Sequence, residues 1–540
     1  MTQLCRAVQT EGVVLSGLRG MGGVGKTALA LKLAEKLTPD YPDAQLFVNL
    51  YGAPDTPTPP TTPAAAMQQV VRAFHPAAKL PEDPSQLAAL YHSVLHGKKA
   101  LILLDDARDA AQVQPLLPPP TCLLLVTTRH KFTLPGLQEL DLDSLPLEEA
   151  VALIGKITPR AGEQAEAIAT ACGCLPLALR LAASALREQA NLGADALLKK
   201  LTNAEKRFTT LAKVRAAIQV SYDLLADDLQ TALRQLAVFP AGFDQPAAAA
   251  VWDVDADAAQ ERLAALMQAS LVSYDANTAR YRLHDLVRAA TEGLLEESEK
   301  YAAGFRHAAH YLHVLRIADS FYLKGGDNIL NALSLFDRER ENILPGQTWA
   351  AGNKQDKNAA QICADYYGAG AYCLTLRLNP HEQIIWLQNA LSATREIGDR
   401  RGEGAALGNL GNAYAALGQV QTAIEYYQQR IEIAREIGDR RGEGADLGNL
   451  GIAYRNLGQV QTAIEYYQQQ LEITREIGDR RGEANTSWNL GSLLADQGKL
   501  QEAIPLMQMC VNYETEIGHP EAQKRAARVE ELKKETGISD

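Results

Sequence analysis

Two kinds of hydrophobic spacing divide the chain. Up to about Arg129, short continuous apolar runs such as VVLSG, ALILL and CLLLVTTR alternate with stretches of helical period. Runs of this kind are typical of parallel strands that are buried on both faces of a sheet. Farther along, apolar residues recur at helical spacing almost throughout. The pattern therefore predicts a multidomain protein of the α/β plus α class, with a parallel sheet first and helical domains after it.

The C-terminal part of the chain repeats itself every 40 residues. Residues 401–440 and 441–480 differ at only seven positions, and residues 481–520 continue the pattern more loosely. Residues 361–400 resemble a degenerate first unit, because WLQNALSATREIGDRR matches the ends of the others. Each unit predicts a pair of helices, and such units stack into an α-solenoid.

The first apolar run is followed by a glycine loop and a helix. VVLSG, LRGMGGVGKT and ALALKLAEKL are typical of strand, loop and helix, and the loop satisfies the phosphate-loop pattern G-x-x-x-x-G-K-[ST]. Such a loop holds phosphates with its backbone N–H groups and the start of the helix. Lys26 is expected to reach the β and γ phosphates, and Thr27 to bind Mg²⁺. The residues expected to contact the nucleotide, ADP or ATP, are Gly20, Gly22, Gly23, Val24, Gly25, Lys26, Thr27 and Ala28.

Two further apolar runs end in residues suited to phosphate chemistry. ALILL ends in Asp105 and Asp106, and a parallel sheet would place these carboxylates at the edge beside the phosphate loop. Asp105 is expected to hold Mg²⁺, directly or through water, and Asp106 to orient or deprotonate the attacking water. CLLLVTTR ends in Arg129, a candidate γ-phosphate sensor that completes a catalytic group with Lys26 and the two aspartates. The alternatives are a helix N-cap for the aspartates and a surface position for the arginine.

The order of these motifs, followed by LPLAL at Leu175–Leu179 and YRLHDLVR at Tyr281–Arg288, resembles the STAND class of signalling ATPases in its NB-ARC branch. QLFVNLYG at Gln45–Gly52 is most similar to the bacterial regulators of that branch. The resemblance covers roughly residues 12–295, with no N-terminal effector domain expected. It implies a nucleotide switch, in which a closed ADP-bound monomer exchanges to ATP on ligand sensing, opens and oligomerises.

The resemblance assigns two nucleotide contacts outside the phosphate loop. It implies that Pro176 of the LPL motif packs against adenine, and that His284, followed by Asp285, binds the β-phosphate of ADP. Leu283 replaces the family's usual methionine, and Cys174 stands where its pattern has glycine. The family's adenine-holding segment ahead of the phosphate loop is not found. Either adenine is held differently here, or the chain is a piece of a longer protein.

The remaining pattern divides the chain into five parts. The expected domains are a P-loop nucleotide-binding domain (1–141), a small helical domain (142–205), a winged helix (206–295), a helical linker or start of the array (296–360), and tetratricopeptide-type repeats with a C-terminal capping helix (361–540). The helices of the winged helix carry few Lys or Arg, which favours a packing role over DNA binding.

Each repeat resembles long tetratricopeptide repeats such as those of kinesin light chains and spindle-orientation adaptors. On the first helix Leu407, Leu410, Tyr414 and Leu417 form a packing stripe, so the opposite stripe, with Gly408, is expected to be open. Three of the seven differences between the near-identical repeats fall there, although random drift after duplication would also produce such changes. The residues expected to line a ligand groove are Asn409, Asn412, Asn449, Ile452, Arg455, Asn456, Trp488, Asn489, Ser492 and Asp496.

Composition and charge narrow the partners. The net charge is −12 and the pI is about 5.5, which argues against DNA or RNA as a primary partner. Neither a secretory signal nor a run of about 18 apolar residues is present. The chain is therefore expected to be cytoplasmic, without a membrane partner, and to keep its seven cysteines reduced.

These observations together predict a nucleotide-switched signal-transduction ATPase with slow hydrolysis. It is expected to be autoinhibited when ADP is bound, to sense a protein, peptide or small-molecule ligand with its repeats, and to self-associate when activated. Two alternatives stay open. One is a tetratricopeptide scaffold with a structural nucleotide, and the other is a DNA-binding transcriptional regulator whose N-terminal domain is missing.

Overall fold

The computed structural model describes residues 15–53, 59–78, 80–134, 136–206 and 212–536. It separates into two compact units, Met1–Trp349 and Ala350–Asp540, and each is described by itself. The N-terminal segment MTQLCRAVQTEG and the first two residues of VVLSG lie outside the described residues. Within the described ranges, no helix is long and apolar enough to cross a membrane.

A five-stranded parallel sheet forms the centre of the first unit. Its strands are β1 (Leu15–Gly20), β2 (Ala44–Asn49), β3 (Ala100–Ala107), β4 (Leu123–Thr128) and β5 (Leu137–Leu142). They lie in the order β2-β3-β4-β1-β5, and every pairing is parallel. The carboxyl ends of β3, β4 and β1 are therefore neighbours at one edge of the sheet, as the motifs predict.

Apolar cores lie on both faces of this sheet. Its helices are α1 (Lys26–Leu37), α2 (Pro63–Phe74), α3 (Pro84–Leu95) and the short α4 (Ala110–Val113). All positions of β3 are buried, and successive side chains point to opposite faces. Ile102 and Leu104 belong to the core with α2 and α3, whereas Leu101 and Leu103 belong to the core with α1. This two-sided burial explains why the strand is a continuous apolar run.

Helices and one hairpin follow the sheet. The helices next to it are α5 (Leu147–Ile157), α6 (Ala165–Ala171), α7 (Pro176–Glu188) and α8 (Ala194–Glu205). The winged helix consists of α9 (Ala212–Asp223), α10 (Asp227–Gln235), α11 (Gln245–Trp252), α12 (Ala256–Gln268), β6 (Val272–Asp275), β7 (Arg280–Leu283) and α13 (Asp285–Glu292). Strands β6 and β7 are antiparallel, and Phe243 forms a further bridge to Tyr281. Short 3-10 helices lie at Thr38–Asp40, Gln114–Leu116, Pro159–Gln164 and Leu236–Val238.

Two long helices follow the winged helix, and the second of them ends three residues past the boundary of the first unit. Helix α14 (Glu297–Leu323) begins with a capping box formed by Glu296 and Glu299. Helix α15 (Asn328–Gly352) approaches α14 so closely that a side chain at Gly304 would lie 2.2 Å from the Trp349 ring nitrogen. Glycine is therefore required at this crossing.

The second unit is an array of helix pairs. Its helices are α16 (Lys357–Ala369), α17 (Ala371–Arg377), α18 (Pro380–Ile397), α19 (Arg400–Ala416), α20 (Val420–Ile437), α21 (Arg440–Asn456), α22 (Val460–Glu476), α23 (Arg480–Asp496), α24 (Leu500–Glu516) and α25 (Ala522–Thr536). A glycine with positive φ follows every helix from α18 to α24, at Gly398, Gly418, Gly438, Gly458, Gly478, Gly498 and Gly518. In IGDRRGE, the aspartate after this glycine caps the next helix, as Asp399 does by accepting from the Gly402 N–H.

Candidate nucleotide site

The phosphate loop joins β1 to α1. Gly23 and Gly25 have φ angles of +84° and +96°, in the left-handed region that favours glycine. The Lys26 ammonium group donates hydrogen bonds to the carbonyl oxygens of Gly20 (2.8 Å) and Met21 (3.0 Å). The loop thus curls around a cation, which is the group that attracts a phosphate. Of the other predicted contacts, Gly22 and Val24 are buried, Thr27 is half-buried, and Ala28 is exposed on the first turn of α1.

Two cations and two carboxylates lie near each other beside this loop. Burial, followed by the charge of Arg129, lowers the pKa of Lys26 to about 8, and the aspartates 106 and 105 oppose that shift. Burial and a neighbouring cation disfavour the charged form of a lysine, and a nearby anion favours it. A phosphate held by the loop would therefore stabilise the charged Lys26 side chain.

Asp105 accepts hydrogen bonds from two hydroxyl groups at the end of β3. Thr27 Oγ1 lies 2.8 Å and Thr127 Oγ1 lies 2.6 Å from the same oxygen, Oδ1. Burial raises the pKa of Asp105, while these two hydroxyls and the charge of Arg282 lower it. The predicted Mg²⁺ ligands Thr27 and Asp105 are therefore in direct contact.

Asp106 is held by neighbours from two other strand ends. Its backbone N–H donates to Thr127 Oγ1 at 2.8 Å, and one carboxylate oxygen accepts the Ala53 N–H at 2.9 Å. The other carboxylate oxygen lies 3.2 Å from Arg129 Nε. The side chains of Arg129 and Asp106 are only 16% and 11% exposed. The predicted water-orienting carboxylate and the predicted phosphate sensor thus form an ion pair that is largely screened from solvent.

These residues fit Mg²⁺ and a nucleotide. Thr27 and Asp105 offer hard oxygen ligands, and Lys26 offers an ammonium group to phosphate oxygens. Among the described residues, no group of three or more His, Cys, Asp and Glu side chains could hold a metal ion by itself. Mg²⁺ is commonly bound by one or two protein oxygens together with substrate phosphates and water. Mg²⁺ at this site would depend on the nucleotide in that way.

The LPL motif lies against the phosphate loop. The Leu177 N–H donates to the Gly23 carbonyl at 3.4 Å, and a side chain at Gly25 would lie 4.0 Å from the Pro176 ring. Cys174, just before this motif, has a φ of +52°. Glycine adopts that conformation readily, which gives a physical reason for the family's glycine there. Pro176 therefore lies next to the loop that is expected to hold the nucleotide phosphates. Its contact with adenine stays a prediction.

His284 approaches the same site from the winged helix. It is the N-cap of α13, and its Nδ1 accepts a hydrogen bond from the Leu286 N–H at 3.2 Å. The side chain is exposed to solvent on one side, and protein atoms are densely packed around the rest of it. These surroundings lower its pKa to about 4, and the positive charges of Arg129 and Lys26 contribute to that shift. Three segments far apart in sequence therefore lie within electrostatic reach of each other.

The hydrogen bond to Leu286 also fixes the chemistry of His284. Dense packing and the neighbouring positive charges lower the pKa of His284, which favours the neutral ring at pH 7. Because Nδ1 accepts a hydrogen bond, the proton of the neutral ring is assigned to Nε2, which is left as a donor. His284 can therefore donate to an anion without first being protonated.

Two residues of the site were not predicted from the sequence. Arg282 lies 3.8 Å from Asp285, and its charge lowers the pKa of Asp105. The Tyr51 hydroxyl donates to Glu341 at 2.8 Å. The available signals were the motifs YRLHDLVR and QLFVNLYG, which contain Arg282 and Tyr51. Neither motif indicates which of its side chains faces the carboxylates.

The predicted groove residues lie on the first helices of three successive repeats. The exposed ones are Asn412, Ile452, Arg455, Asn456 and Asp496, and the half-buried ones are Asn409, Asn449, Trp488, Asn489 and Ser492. Ile452 is 40% exposed, and Asn412 Oδ1 accepts a hydrogen bond from the Tyr427 hydroxyl at 2.9 Å. These side chains are accessible to a ligand, and the ligand itself stays a prediction.

The prediction that Gly408 faces an open groove is wrong, and Trp488 makes packing contacts that compete with a role in ligand binding. Gly408 is buried, and a side chain there would lie 2.7 Å from Arg430 Cδ, so this position packs against the next helix instead of lining an open face. Trp488 packs against the apolar cluster that includes the C-terminal helix, and the Arg525 guanidinium lies over its ring, 4.7 Å from the ring centroid. The capping helix falls outside the 40-residue period, so the period does not reveal this contact.

Family models match two parts of the chain. The model described as Tetratricopeptide repeat matches residues 361–436 and 445–513, and the one described as Winged helix-turn-helix domain matches residues 225–296. Together with the parallel sheet and the phosphate loop, they describe a chain with a P-loop motif, a winged helix and a tetratricopeptide array. The chain is similar to the regulatory protein AfsR of Streptomyces coelicolor, with 32% identity over 457 residues, 76% of this chain and 44% of AfsR.

Two further proteins are similar to the chain. A putative HTH-type transcriptional regulator of Mycobacterium tuberculosis is 28% identical over 415 residues, 70% of this chain and 44% of that protein. The chain thus spans less than half the length of AfsR and of this regulator. A crystal structure of a STAND protein with a tetratricopeptide repeat sensor from Pyrococcus horikoshii is similar at 16% identity and a TM-score of 0.42, over 100% of this chain and 93% of that one.

One expectation about partners is not supported by these comparisons. The acidic composition argued against DNA, yet residues 225–296 match a winged helix-turn-helix domain, and one relative is named as an HTH-type transcriptional regulator. A net charge averages over the whole chain, so it does not exclude DNA binding by one domain. DNA is therefore retained as a candidate partner.

Proposed function

We propose that the chain is a nucleotide-switched signal-transduction ATPase. ADP holds a closed, inactive state, and binding of a protein, peptide or small molecule to the repeats favours exchange to ATP, opening and self-association. Hydrolysis is slow and returns the switch to its resting state. The proposed division of labour follows the five expected domains, with nucleotide chemistry in 1–141, control in 142–295 and sensing in 361–540.

The observation that carries this proposal is the convergence of His284 with Lys26 and Arg129. A ligand shifts a conformational equilibrium only if it binds one state better than the other. For ADP to favour the closed state, a group outside the nucleotide-binding domain must contact it. His284 belongs to the winged helix, and its Nε2–H is the available donor for a β-phosphate. Separation of the two domains would remove that contact.

The remaining site residues have separate roles in this proposal. Lys26 binds the phosphates, and Thr27 and Asp105 would hold Mg²⁺, which would neutralise charge on the phosphate oxygens. Asp106 orients water, and its ion pair with Arg129 keeps that arginine at the strand end where a γ-phosphate would lie. Pro176 supports the adenine.

Replacement of His284 tests the switch. His284→Ala is expected to retain ATP binding, to release ADP roughly ten- to a hundredfold faster, since hydrogen bonds to charged groups contribute about 1.5–3 kcal/mol, and to shift the mass in solution upward. Stopped-flow release of ADP and light scattering measure both effects. His96→Ala, at an exposed position, is the matched control. Unchanged ADP release and unchanged mass would instead support a scaffold with a structural nucleotide.

The groove on the repeats is the proposed ligand site. Peptides selected from a random library on the full chain provide the probe. Arg455→Glu combined with Ile452→Asp is expected to abolish their binding and to leave the ADP-dependent melting shift unchanged, because exposed positions cost little stability. Arg441→Glu, also exposed, serves as the control. Peptide binding that survives the double change would place the ligand elsewhere.

A second candidate function is DNA-binding transcriptional regulation, favoured by the winged helix-turn-helix match and the HTH-type relative. Helix α12, which directly precedes the hairpin of the winged helix, argues against DNA binding because it offers little positive charge. Its only basic residue is Arg262, which lies over the Trp252 ring, and Asp257 and Glu261 are on the same helix. Binding to random duplex DNA at low salt, repeated at higher salt, separates the two functions. A DNA-binding domain gives affinity that falls steeply with salt.

A further inference from the structure

Helix α15 contacts the winged helix and the nucleotide-binding domain through neighbouring residues. The two carboxylate oxygens of Glu339 accept from Arg280 of β7 at 2.6 Å and 2.8 Å. Two residues later, Glu341 accepts from the Tyr51 hydroxyl at 2.8 Å. One helix therefore holds both the strand that leads to His284 and a segment of the nucleotide-binding domain.

Tyr51 belongs to a short segment that is hydrogen-bonded to the site carboxylate. The Gly52 N–H donates to the Asp106 carbonyl at 2.6 Å, and the Ala53 N–H donates to Asp106 Oδ2 at 2.9 Å. A continuous path of covalent and hydrogen bonds thus runs from Glu341 through Tyr51 to the carboxylate of Asp106.

This path passes through unfavourable backbone geometry. Tyr51 and Asp106 have φ angles of +48° and +55°. A side chain at Gly52 would lie 2.3 Å from the Arg108 backbone nitrogen, so the segment is packed tightly against the end of β3. Residues in such conformations persist only when their surroundings hold them, and they occur at sites that change state. Tyr51 is 5% exposed, and the hydrogen bond of its buried hydroxyl to Glu341 is part of that support.

In the Tyr51–Glu341 hydrogen bond, the tyrosine is the donor and the carboxylate is the acceptor. Burial and the Glu341 carboxylate both raise the pKa of the Tyr51 phenol, so the phenol stays protonated and donates. A hydrogen bond to a carboxylate is stronger than one between neutral groups. The partners are 290 residues apart in sequence, so only the folded arrangement of α15 on the nucleotide-binding domain brings them together.

We propose that Tyr51 and Glu341 are positioning residues through which helix α15 controls the Asp106 carboxylate. Helix α15 continues to Gly352, and the second unit begins at Ala350. A movement of the end of α15 that breaks the Tyr51–Glu341 bond releases the segment held against Asp106. The end of β3 that carries the proposed Mg²⁺ ligand Asp105 is then less well fixed, and ADP with its Mg²⁺ is released faster. This inference rests on the proposed nucleotide switch and names the contact that carries the signal within the first unit.

A double-mutant cycle in the full chain tests this pair. The protein is loaded with a fluorescent ADP analogue and chased with excess ADP, for wild type, Tyr51→Phe, Glu341→Ala and the double variant. Each single variant is expected to release the analogue about five- to tenfold faster, and the double variant no faster than either one. Glu341→Gln keeps an acceptor but loses its charge, and it is expected to release the analogue about two- to threefold faster than wild type. Tyr274→Phe, at an exposed tyrosine of the wing, is the matched control.

The possible outcomes distinguish a failure of the Tyr51–Glu341 proposal from a failure of the proposed nucleotide switch. A wild-type protein that binds no analogue overturns the proposed function and this inference together. If wild type binds it and both single variants release it at the wild-type rate, only the positioning role is overturned. Effects that multiply in the double variant also overturn it, because two partners in one bond cannot act independently. Unfolding curves identify any variant that loses folded protein, and the isosteric Tyr51→Phe and Glu341→Gln then decide the result.

Discussion

The two units of the chain differ in where their backbone departs from favourable geometry. In Met1–Trp349, six described residues other than glycine have a positive φ, among them Tyr51, Asp106 and Cys174. In the described part of Ala350–Asp540, positive φ occurs only at glycine. Strained conformations of other residues persist where the surrounding structure holds them, commonly at functional sites. The array is thus built from relaxed, repeated connections, whereas in the first unit three residues other than glycine, Tyr51, Asp106 and Cys174, hold less favourable conformations near the candidate nucleotide site.

The units also differ in how far apart in sequence their contacts are. In the array, Arg430 and Asp446 are 16 residues apart, and their contact joins adjacent helices. In the first unit, Lys26, Asp106 and His284 come from three separate segments. The array therefore follows from one local period, while the site depends on the complete fold of its unit.

Replacement of Lys26 is expected to have the largest effect of the changes considered. If it left ADP binding intact, the nucleotide site would not lie at the phosphate loop of the first unit. Lys26→Ala removes the cation inside the phosphate loop, and loss of one partner of a buried charge pair costs about 2–5 kcal/mol. ADP affinity should fall on the order of a hundredfold, and the melting shift produced by ADP should disappear. Differential scanning fluorimetry with and without ADP measures this. Lys32→Ala, at an exposed lysine of the same helix, should keep the full shift.

Asp446 predicts a pH dependence that belongs to the array. Burial raises its pKa to about 6, and Arg430 opposes the shift. Between about pH 4 and 6 the folded chain keeps a proton that the unfolded chain has lost, so its stability falls as pH rises from 4 to 6, by about 3 kcal/mol at most. Asp446→Asn cannot titrate and should flatten this trend. Urea unfolding at pH 4, 5 and 6 tests it, and parallel pH profiles for both proteins would contradict it.

Two glycines of the array are expected to respond with opposite signs to the same change. A side chain at Gly411 would lie 2.4 Å from the Tyr427 ring, so Gly411→Ala should destabilise the array by about 1–2 kcal/mol. Gly368 lies in a helix with no atom within 4 Å of an added Cβ, so Gly368→Ala should stabilise by about 0.5–1 kcal/mol. Hydrogen exchange of the array helices measures both. Neither change should alter ADP binding if the two units are as different as proposed.

Cys174 provides the smallest expected effect. It has a φ of +52°, a conformation that costs about 1–2 kcal/mol for residues other than glycine. Cys174→Gly removes this cost but adds freedom to the unfolded chain, so a net gain of about 0.5 kcal/mol is expected. Cys172→Gly, at a fully buried neighbour, should destabilise instead. Equal losses for both variants in thermal unfolding would show that Cys174 is not strained.

Much of the fold and part of the site could be predicted from the sequence for identifiable reasons. Continuous apolar runs predicted the parallel sheet because both faces of β3 are buried. Glycine spacing predicted the phosphate loop, and the order of parallel strands brought Asp105 and Arg129 to it. The 40-residue period predicted the helix pairs because each repeat ends with the same glycine and aspartate.

The rest depends on contacts that no local pattern records. Tyr51 and Glu341 are 290 residues apart, and no repeat or periodic pattern in the sequence links their two segments. Arg282 stands in a recognised motif, but its closeness to Asp105 follows from the position of the whole winged helix. Gly408 looked open because only one helix was considered, and the adjacent helix places Arg430 against it.

The central claim is that the first unit holds a nucleotide, and the most direct test is to identify what the purified protein releases when it is denatured. Released nucleotide is separated by ion-exchange chromatography and compared with the amount of protein. The account predicts about one ADP per chain for wild type and none for Lys26→Ala, because the phosphate loop binds one nucleotide. A wild-type protein that releases no nucleotide, and whose melting temperature does not change with added ADP and Mg²⁺, would contradict it.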